Sequence, residues 1–541
     1  SKNKTDRMMN SHIKADVIIL GCSLPGIVTA HKLKKKFGNT MDIVVLDLAG
    51  KRDIDSKCNV VFQEEKEEEI TDNNTCEGTA KEVIDNLARY FLTLITKDFN
   101  IPLPDAIIEP VKVRNPFYKV FEYRNGKAVD CEKNFHNFDY LNILERFELN
   151  QYQTLLDQNM KDLFQAHKVD NAPERNQLLY YDQTTMEKHI CDALLFPNSR
   201  DIMRNTVRLV CGASAKTVSV LFYLHQCYRT STSRNHLDGN NTRFREKLLG
   251  YCRKRLTSKL QNSVAYITLS SKAIEKISSN SDEQVILKTI KGDTNYVCNL
   301  LAMALKPDEL HNIEVESHLL SDSEITVITN MIKGKAKKFL VQYEENFWRR
   351  EGYSGDILSV RGPIIWATER PIMSSTGSTE TYAALVGYLR NENGDDCRDA
   401  VLKQLVRLFG KQAAEPISYR ESDISDMYVP RCGDYIALRE LTLKPKSKYV
   451  EWGALDIFAD GDIAAALEAG HTAYNHLVSS LRPQAQTYED ISVVEWPTIF
   501  NDNPLQELLC RITITTSLRI MMYSAVAYIG ARLIQSYMHK L

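Results

Sequence analysis

The chain has 541 residues, of which 43% are hydrophobic and 26% are charged, and its formal net charge is -2. This length is enough for more than one domain of roughly 100–200 residues. The charge excludes a domain-wide basic excess of the kind that neutralises phosphates, so we expect no nucleic-acid partner. The 12 cysteines form no CxxC pair or metal-ligand spacing, which indicates reduced thiols and no metal site.

Residues 15–47 have the pattern of a β-α-β unit that opens a dinucleotide-binding domain. The continuous apolar runs at 17–20 and 43–46 predict parallel strands buried on both faces, and 27–36 predicts the helix between them. The polar leader 1–14 has no apolar core of the kind that secretory signals carry. We therefore expect an α/β fold that begins with this unit.

The turn after the first strand has the G-x-G-x-x-G spacing with one departure. Gly21, Ser23 and Gly26 occupy the three positions, and Asp47 ends the second strand, where an acid binds a ribose hydroxyl. Ser23 departs from the pattern because the middle glycine is what allows the backbone to approach the pyrophosphate. The unit predicts either a dinucleotide site or an α/β unit that keeps the architecture and has lost the nucleotide.

Helical and strand patterns follow in blocks along the rest of the chain. Apolar residues recur at helical spacing over 138–228, whereas 264–269 and 284–290 alternate as strands. The run 297–305 predicts a further strand that returns to the first sheet. At 541 residues the chain is long enough for two or more interleaved domains.

The segment 512–534 near the carboxyl terminus is mostly apolar and is long enough for the roughly 20 residues that cross a bilayer core. Arg519 and Arg532 interrupt it, and a central arginine is unfavourable in lipid unless its side chain reaches the interface. We expect a membrane-anchor helix here. The alternative is an amphipathic helix that lies on the protein or on a membrane surface.

A second group of segments resembles the flavin-containing monoamine oxidases. Residues 333–353 place a lysine before an alternating strand that is expected to end in the pair Phe347 and Trp348. Three further stretches resemble the family in the same order, at 362–388, 400–419 and 461–477. The chain is therefore identified as a divergent member of the FAD-dependent amine oxidases.

This resemblance implies an α/β (α+β) fold in which a Rossmann-like FAD-binding domain is interleaved with a sheet-based substrate domain. The implied FAD-binding segments are 15–95, 246–310 and 436–480; the substrate segments are 96–245 and 311–435; a tail, 481–541, carries the anchor. The resemblance also implies a homodimer on the mitochondrial outer membrane, facing the cytosol.

Site residues follow from the resemblance position by position. Lys338 matches the lysine that holds a water against the flavin, and Cys432 lies near the cysteine that carries the flavin covalently. Gly433 and Asp462 stand where the family has the two tyrosines of an aromatic cage. Gly453 begins the counterpart of a flavin-binding glycine-threonine-glutamate, but the two polar residues are absent. From the residues alone, Lys338 could instead lie at the end of a surface strand. Cys432 could instead be an ordinary thiol.

These departures favour a pseudoenzyme or scaffold that binds FAD weakly or not at all and acts through an unknown protein partner. The polar segments 51–79 and 231–245 are its candidate binding surfaces, because loops on a rigid scaffold commonly carry recognition. The alternative is an active FAD-dependent amine oxidase that converts amines with O2 to aldehyde, ammonia and H2O2. A nicotinamide-dependent oxidoreductase is a third reading, but it leaves Phe347 and Trp348 unexplained.

Overall fold

The computed structural model describes most of the chain in separate ranges. The ranges are 11–48, 117–164, 175–230, 237, 255–270, 272–280, 283–290, 294–369, 372–373, 381–390, 397–424, 428–443, 448–455, 463–487 and 514–538. The candidate binding loop 51–79, almost all of 231–245, and Asp462 lie outside them. The chain divides into two compact units, the first built from 1–115, 240–335 and 422–497 and the second from 116–239, 336–421 and 498–541.

Strands and helices are numbered along the chain. The strands are β1 (Ser11–Leu20), β2 (Ile43–Asp47), β3 (Tyr118–Glu122), β4 (Ala128–Cys131), β5 (Ala265–Thr268), β6 (Ile274–Ser279), β7 (Val285–Thr289), β8 (Thr294–Met303), β9 (Glu314–Val315), β10 (Ile332–Lys333), β11 (Ala336–Tyr343), β12 (Tyr353–Ser359), β13 (Ile364–Glu369), β14 (Ile372–Met373), β15 (Thr381–Leu389), β16 (Ser418–Ile424), β17 (Tyr428–Val429) and β18 (Val450–Glu451). The helices are α1 (Leu24–Phe37), α2 (Ile143–Phe164), α3 (Arg175–Gln183), α4 (Met186–Ala193), α5 (Pro197–Cys211), α6 (Val220–Thr230), α7 (Pro307–Leu310), α8 (Asp322–Thr329), α9 (Phe347–Arg350), α10 (Arg398–Phe409), α11 (Tyr435–Leu443), α12 (Ile463–Leu481) and α13 (Ile514–Met538).

The first unit is organised around an 8-stranded sheet with the order β5-β2-β1-β8-β7-β6-β9, in which β18 also pairs with β8. The strands β5, β2, β1, β8 and β18 run parallel, and β7 and β6 join as an antiparallel extension. Residues 17–20 of β1 are fully buried, as expected of a central parallel strand with both faces covered. Because carboxyl ends of parallel strands meet at one edge, the glycine turn and the end of β2 lie there together.

Helices α1 and α12 cover this sheet and share its core with β1, β2 and β8. They pack closely because Gly470 of α12 lies against α1, where an added Cβ would stand 2.7 Å from the carbonyl oxygen of Pro25. The Thr29 hydroxyl donates to the Gly470 carbonyl oxygen across this contact at 3.1 Å. The glycine turn is thus held between strand β1 and two packed helices.

The second unit contains another 8-stranded sheet, with the order β16-β11-β15-β13-β12-β3-β4 and with β14 paired to β15. One face packs on α10 around a core that includes Phe339, Val341 and Trp348. The predicted helical block over 138–228 is confirmed, because it holds α2 to α6. The prediction that a strand ends in Phe347 and Trp348 is wrong, since β11 ends at Tyr343 and the pair opens the short helix α9.

The carboxyl-terminal segment forms a helix, α13, over Ile514–Met538. Within the ranges that the structure describes, no helix is long and apolar enough to cross a membrane. The prediction of a membrane-spanning anchor over 512–534 is therefore not supported. The physical reason lies in the helix itself, since Arg519, Arg532 and its hydroxyl-bearing side chains interrupt the apolar sequence.

Candidate dinucleotide-binding site

The glycine turn after β1 is fixed by its contact with the backbone that follows β8. Gly21 has a φ of +107°, and an added Cβ would lie 2.2 Å from the carbonyl oxygen of Ala304. An added Cβ at Gly26 would lie 2.4 Å from the Ala304 Cβ. Ala304 is itself tied to the end of β1, because its N–H donates to the Leu20 carbonyl oxygen at 2.8 Å. Both glycines are thus required by packing inside the fold, whether or not a nucleotide binds.

Ser23, at the middle position of the pattern, is the N-cap of α1. Its backbone is extended and its hydroxyl oxygen accepts from the Gly26 N–H in a long hydrogen bond of 3.4 Å. The side chain is buried. A helix N-terminus binds phosphate through its unpaired N–H groups. In this chain Ser23 takes up one of those groups, and Pro25 in the first turn has no N–H to offer.

Asp47, the predicted ribose-binding acid, is engaged by a tyrosine from the neighbouring strand. Tyr266 of β5 donates its hydroxyl to Asp47 Oδ2 at 2.7 Å. The same phenol lies 2.9 Å from the Sγ of Cys22, inside the glycine turn. A phenol has a single proton, so the Cys22 thiol is the donor to the tyrosine oxygen. Burial, followed by the contacts with Cys22 and Asp47, raises the pKa of Tyr266 above its ordinary value.

A second carboxyl group, that of Glu309, stands near the same edge of the sheet. Glu309 accepts from the Lys306 N–H at 2.9 Å and so caps α7, which follows β8. Burial raises the pKa of Glu309, the N–H and the positive charge of Lys306 lower it, and the negative charges of Asp308 and Asp47 raise it to a smaller extent. Three carboxyl groups and one lysine thus lie near an edge where a pyrophosphate would add further negative charge.

Gly453 follows β18 in the same unit, and its backbone N–H is hydrogen-bonded within the protein. Its N–H donates to Glu451 Oε1 at 2.7 Å, and His476 Nδ1 lies 3.0 Å from the same oxygen. The next two residues, Ala454 and Leu455, are buried apolar side chains. No polar side chain stands at the two positions where the family has threonine and glutamate.

Cys432 and Gly433 form a turn between β17 and α11 in the first unit. The Cys432 side chain is half-buried. Gly433 has a φ of +101°, and no atom of the described residues lies within 4 Å of the position an added Cβ would take. This backbone conformation strains any residue that carries a side chain. A cage tyrosine at this position would thus require a different backbone and not just a different side chain.

Lys338 lies in the second unit, in the middle of a row of side chains that crosses its sheet. It pairs with Tyr388 of β15, which in turn pairs with Trp366 of β13. The Lys338 ammonium lies 5.6 Å from the centre of the Tyr388 ring, and that ring lies 5.9 Å from Trp366. The preceding lysine, Lys337, is buried on the opposite face in an ion pair of 2.9 Å with Glu421. Strand alternation thus separates two lysines that are adjacent in sequence.

Comparison with known proteins shows a shared fold and a partial sequence similarity to one family. The family model "Flavin containing amine oxidoreductase" matches residues 268–432. The chain is 23% identical to a probable flavin-containing monoamine oxidase A of Dictyostelium discoideum over 306 residues, which is 55% of this chain and 64% of the relative. These matches fit a divergent relative of the flavin-containing amine oxidoreductases. It is also 24% identical to the flavin-containing amine oxidase B of Homo sapiens over 270 residues, 45% of this chain and 47% of that protein.

Solved structures of amine oxidases share the fold of this chain. A triple mutant of putrescine oxidase gives a TM-score of 0.64 at 14% identity and covers 87% of this chain and 100% of its own. Cyclohexylamine oxidase from Brevibacterium oxydans gives 0.59 at 16% identity, covering 86% and 99%. At these identities the likeness establishes the fold alone. The aligned sequence relatives extend beyond the matched region, since the chain spans 64% and 47% of their lengths.

Within this flavin amine oxidase fold, the structure brings four predicted residues together at one edge of the first sheet: Gly21, Ser23, Gly26 and Asp47. Sequence analysis missed Tyr266 and Glu309, which lie at the same edge. The sequence predicts the strand that carries Tyr266, but the structure alone places this strand beside β2 with Tyr266 level with Val45. The predicted roles of Lys338, Cys432 and Gly453 stay predictions.

Proposed function

We propose that this chain is a non-oxidising member of the amine oxidase family that works as a binding or scaffold protein. The observation that carries the proposal is the N-terminus of α1. The Gly26 N–H is taken by Ser23 and Pro25 has none, so the Leu24 N–H is what the first turn offers to a phosphate. Dinucleotide sites of this fold seat the pyrophosphate on several such groups.

Two further features support the same proposal. The positions of the flavin-binding threonine and glutamate are occupied by Ala454 and Leu455, whose apolar side chains are buried. Gly433 stands in a backbone conformation that disfavours the cage tyrosine. If each lost polar contact costs about 1 kcal/mol, several together would lower the affinity for FAD by orders of magnitude. The residues present therefore fit FAD poorly.

The second candidate is an active FAD-dependent amine oxidase. The family match over 268–432 supports it, and so does the row of Lys338, Tyr388 and Trp366 across the second sheet. Trp366 is buried, and its Nε1 makes no hydrogen bond to the described residues. An indole N–H of this kind is a natural donor to a bound ligand. The same row also suits a protein that binds a planar ligand without oxidising it.

The visible absorption spectrum of the purified full-length protein tests the proposal. We expect a colourless protein that stays colourless after incubation with FAD and gives no peroxide with amines. Acid precipitation then separates the remaining outcomes. A yellow pellet means that flavin is covalently bound, with Cys432 as the expected attachment point. This result overturns the proposal. A yellow supernatant with amine-dependent peroxide also overturns it, in favour of the active oxidase.

The partners and the location of the protein stay predictions. The family resemblance favours a homodimer and the mitochondrial outer membrane, and a protein partner follows from the scaffold reading. A membrane contact through α13 is likewise proposed and not established, and it does not require a spanning helix. The side chains of α13 that point to this contact are largely exposed, among them Met521, Tyr528 and Leu533.

A further inference from the structure

We infer that the Tyr266 side chain occupies the position beside Asp47 that a bound ribose would take. Its phenol thereby prevents adenosine-type nucleotides from binding at the carboxyl edge of the first sheet. The inference rests on the proposed function, since it names one reason why a dinucleotide is not bound. It concerns the adenosine end of FAD, and it applies equally to ADP.

The position of Tyr266 is set by the pairing of two parallel strands. Tyr266 of β5 lies level with Val45 of β2, two residues before Asp47. From there its hydroxyl reaches Asp47 Oδ2 at 2.7 Å. Hydrogen bonds to a charged carboxylate are stronger than neutral ones. A ribose hydroxyl that approached Asp47 would have to displace the phenol.

A second hydrogen bond makes the displacement more costly. The Cys22 thiol donates to the Tyr266 oxygen at 2.9 Å, so the phenol links the glycine turn to the acid at the end of β2. Moving the ring away would break both contacts. Tyr266 remains protonated at physiological pH, because burial raises its pKa above the ordinary value. The phenol therefore stays a donor to Asp47 over that range.

The surroundings of Asp47 point the same way. Glu309 adds a carboxyl group close enough for the charge of Asp47 to raise its pKa. A diphosphate entering this edge would meet acidic groups, and the hydrogen bond from Tyr266 partly compensates the charge of Asp47 without any ligand. The Asp47 carboxylate thus has a hydrogen-bond donor from within the protein. In a site that binds ribose, the ribose hydroxyl would supply that donor.

The test uses the full-length protein and the variant Tyr266→Phe, which removes the hydroxyl and keeps the ring. Titration calorimetry with ADP is the readout. We expect Tyr266→Phe to bind ADP about 10-fold more tightly than the wild type, equivalent to about 1.4 kcal/mol. Riboflavin, which has no adenosine ribose, should show no such gain. Tyr296→Phe is the matched control, because it removes a hydroxyl from a buried tyrosine of β8 in the same unit.

Adding Asp47→Asn to Tyr266→Phe should abolish the gain if the ribose binds through the carboxylate. A folded Tyr266→Phe protein whose ADP affinity equals that of the wild type overturns the inference. Tyr266→Leu serves the same purpose should the phenylalanine variant not fold. Failure here is distinguishable from failure of the proposed function. A yellow, amine-oxidising wild type refutes the proposed function, whereas unchanged ADP affinity in a colourless protein refutes only the role of Tyr266.

Discussion

Replacing Gly21 by alanine should destabilise the first unit far more than the same change at Gly433. The two glycines have nearly equal φ angles, +107° and +101°, so the cost of placing an L-residue in this conformation is similar at both. They differ in what the new Cβ would meet. At Gly21 it would lie 2.2 Å from the Ala304 carbonyl oxygen, whereas no described atom lies within 4 Å at Gly433.

The clash at Gly21 cannot be relieved by turning a side chain, because the neighbour is backbone. Ala304 would have to move, and its hydrogen bond to the Leu20 carbonyl oxygen would weaken. Overpacking of this kind costs about 1–3 kcal/mol and a lost hydrogen bond about 1 kcal/mol. We therefore expect Gly21→Ala to be about 2–4 kcal/mol less stable than Gly433→Ala.

Hydrogen exchange at the backbone amides of β1 measures this difference, because it reports the opening free energy of one element in a protein of more than one unit. FAD is left out, so that stability and nucleotide binding are not confused. Opening free energies that agree within about 1 kcal/mol between the two variants would refute the reasoning. They would mean that the turn tolerates a side chain and that Gly21 is not required by the fold itself.

Two predictions concern the second unit. Arg407→Met should lower the free energy of unfolding by about 2–3 kcal/mol, because it removes the cationic partner of the fully buried Glu122 carboxylate and leaves it with the neutral donors Ser359 and Gln404. Adding Glu122→Gln should recover at least half of this loss, and no recovery in chemical denaturation would contradict the prediction. His189 is half-buried and lies 2.7 Å from the Tyr152 hydroxyl, and the partial burial lowers its pKa to about 4. The unfolded chain then binds the proton more readily, so stability should be full above pH 6.5 and fall towards pH 4 by up to about 3 kcal/mol. The variant His189→Gln should show a shallower fall, and parallel stability curves between pH 7 and 5 would argue against this histidine as the cause.

The opening β-α-β unit could be predicted from sequence because its signals are local. The apolar runs, the glycine spacing and the helical pattern each act over a few residues, and β1, α1 and β2 form where they indicate. The role of Ser23 could be predicted only in part. The sequence shows a side chain at the phosphate position, but its use as the N-cap depends on the extended backbone that the structure gives it.

The contacts that close the site are not local, and this is why sequence analysis missed them. Tyr266 and Asp47 are 219 positions apart and meet only through the pairing of β5 with β2. The same holds for the lysine run before α9. The composition of this run does not show which lysine is buried. In the strand, Lys337 forms an ion pair with Glu421, whereas the Lys338 ammonium lies over the Tyr388 ring. Strand order and register have to be known before such pairs can be assigned.

The residues that this chain keeps and those it has changed differ in one physical respect. Gly21 and Gly26 are held by the Ala304 backbone and side chain, so the fold requires them even without a ligand. The middle glycine of the pattern allows the backbone to approach a pyrophosphate, and the family resemblance assigns the polar residues after Gly453 to the flavin. This chain has neither. A glycine pattern of this kind is therefore evidence of architecture, and evidence of nucleotide binding has to come from groups that have no partner inside the fold. Asp47 is the decisive case, because it is present as the pattern requires and yet already bonded to Tyr266.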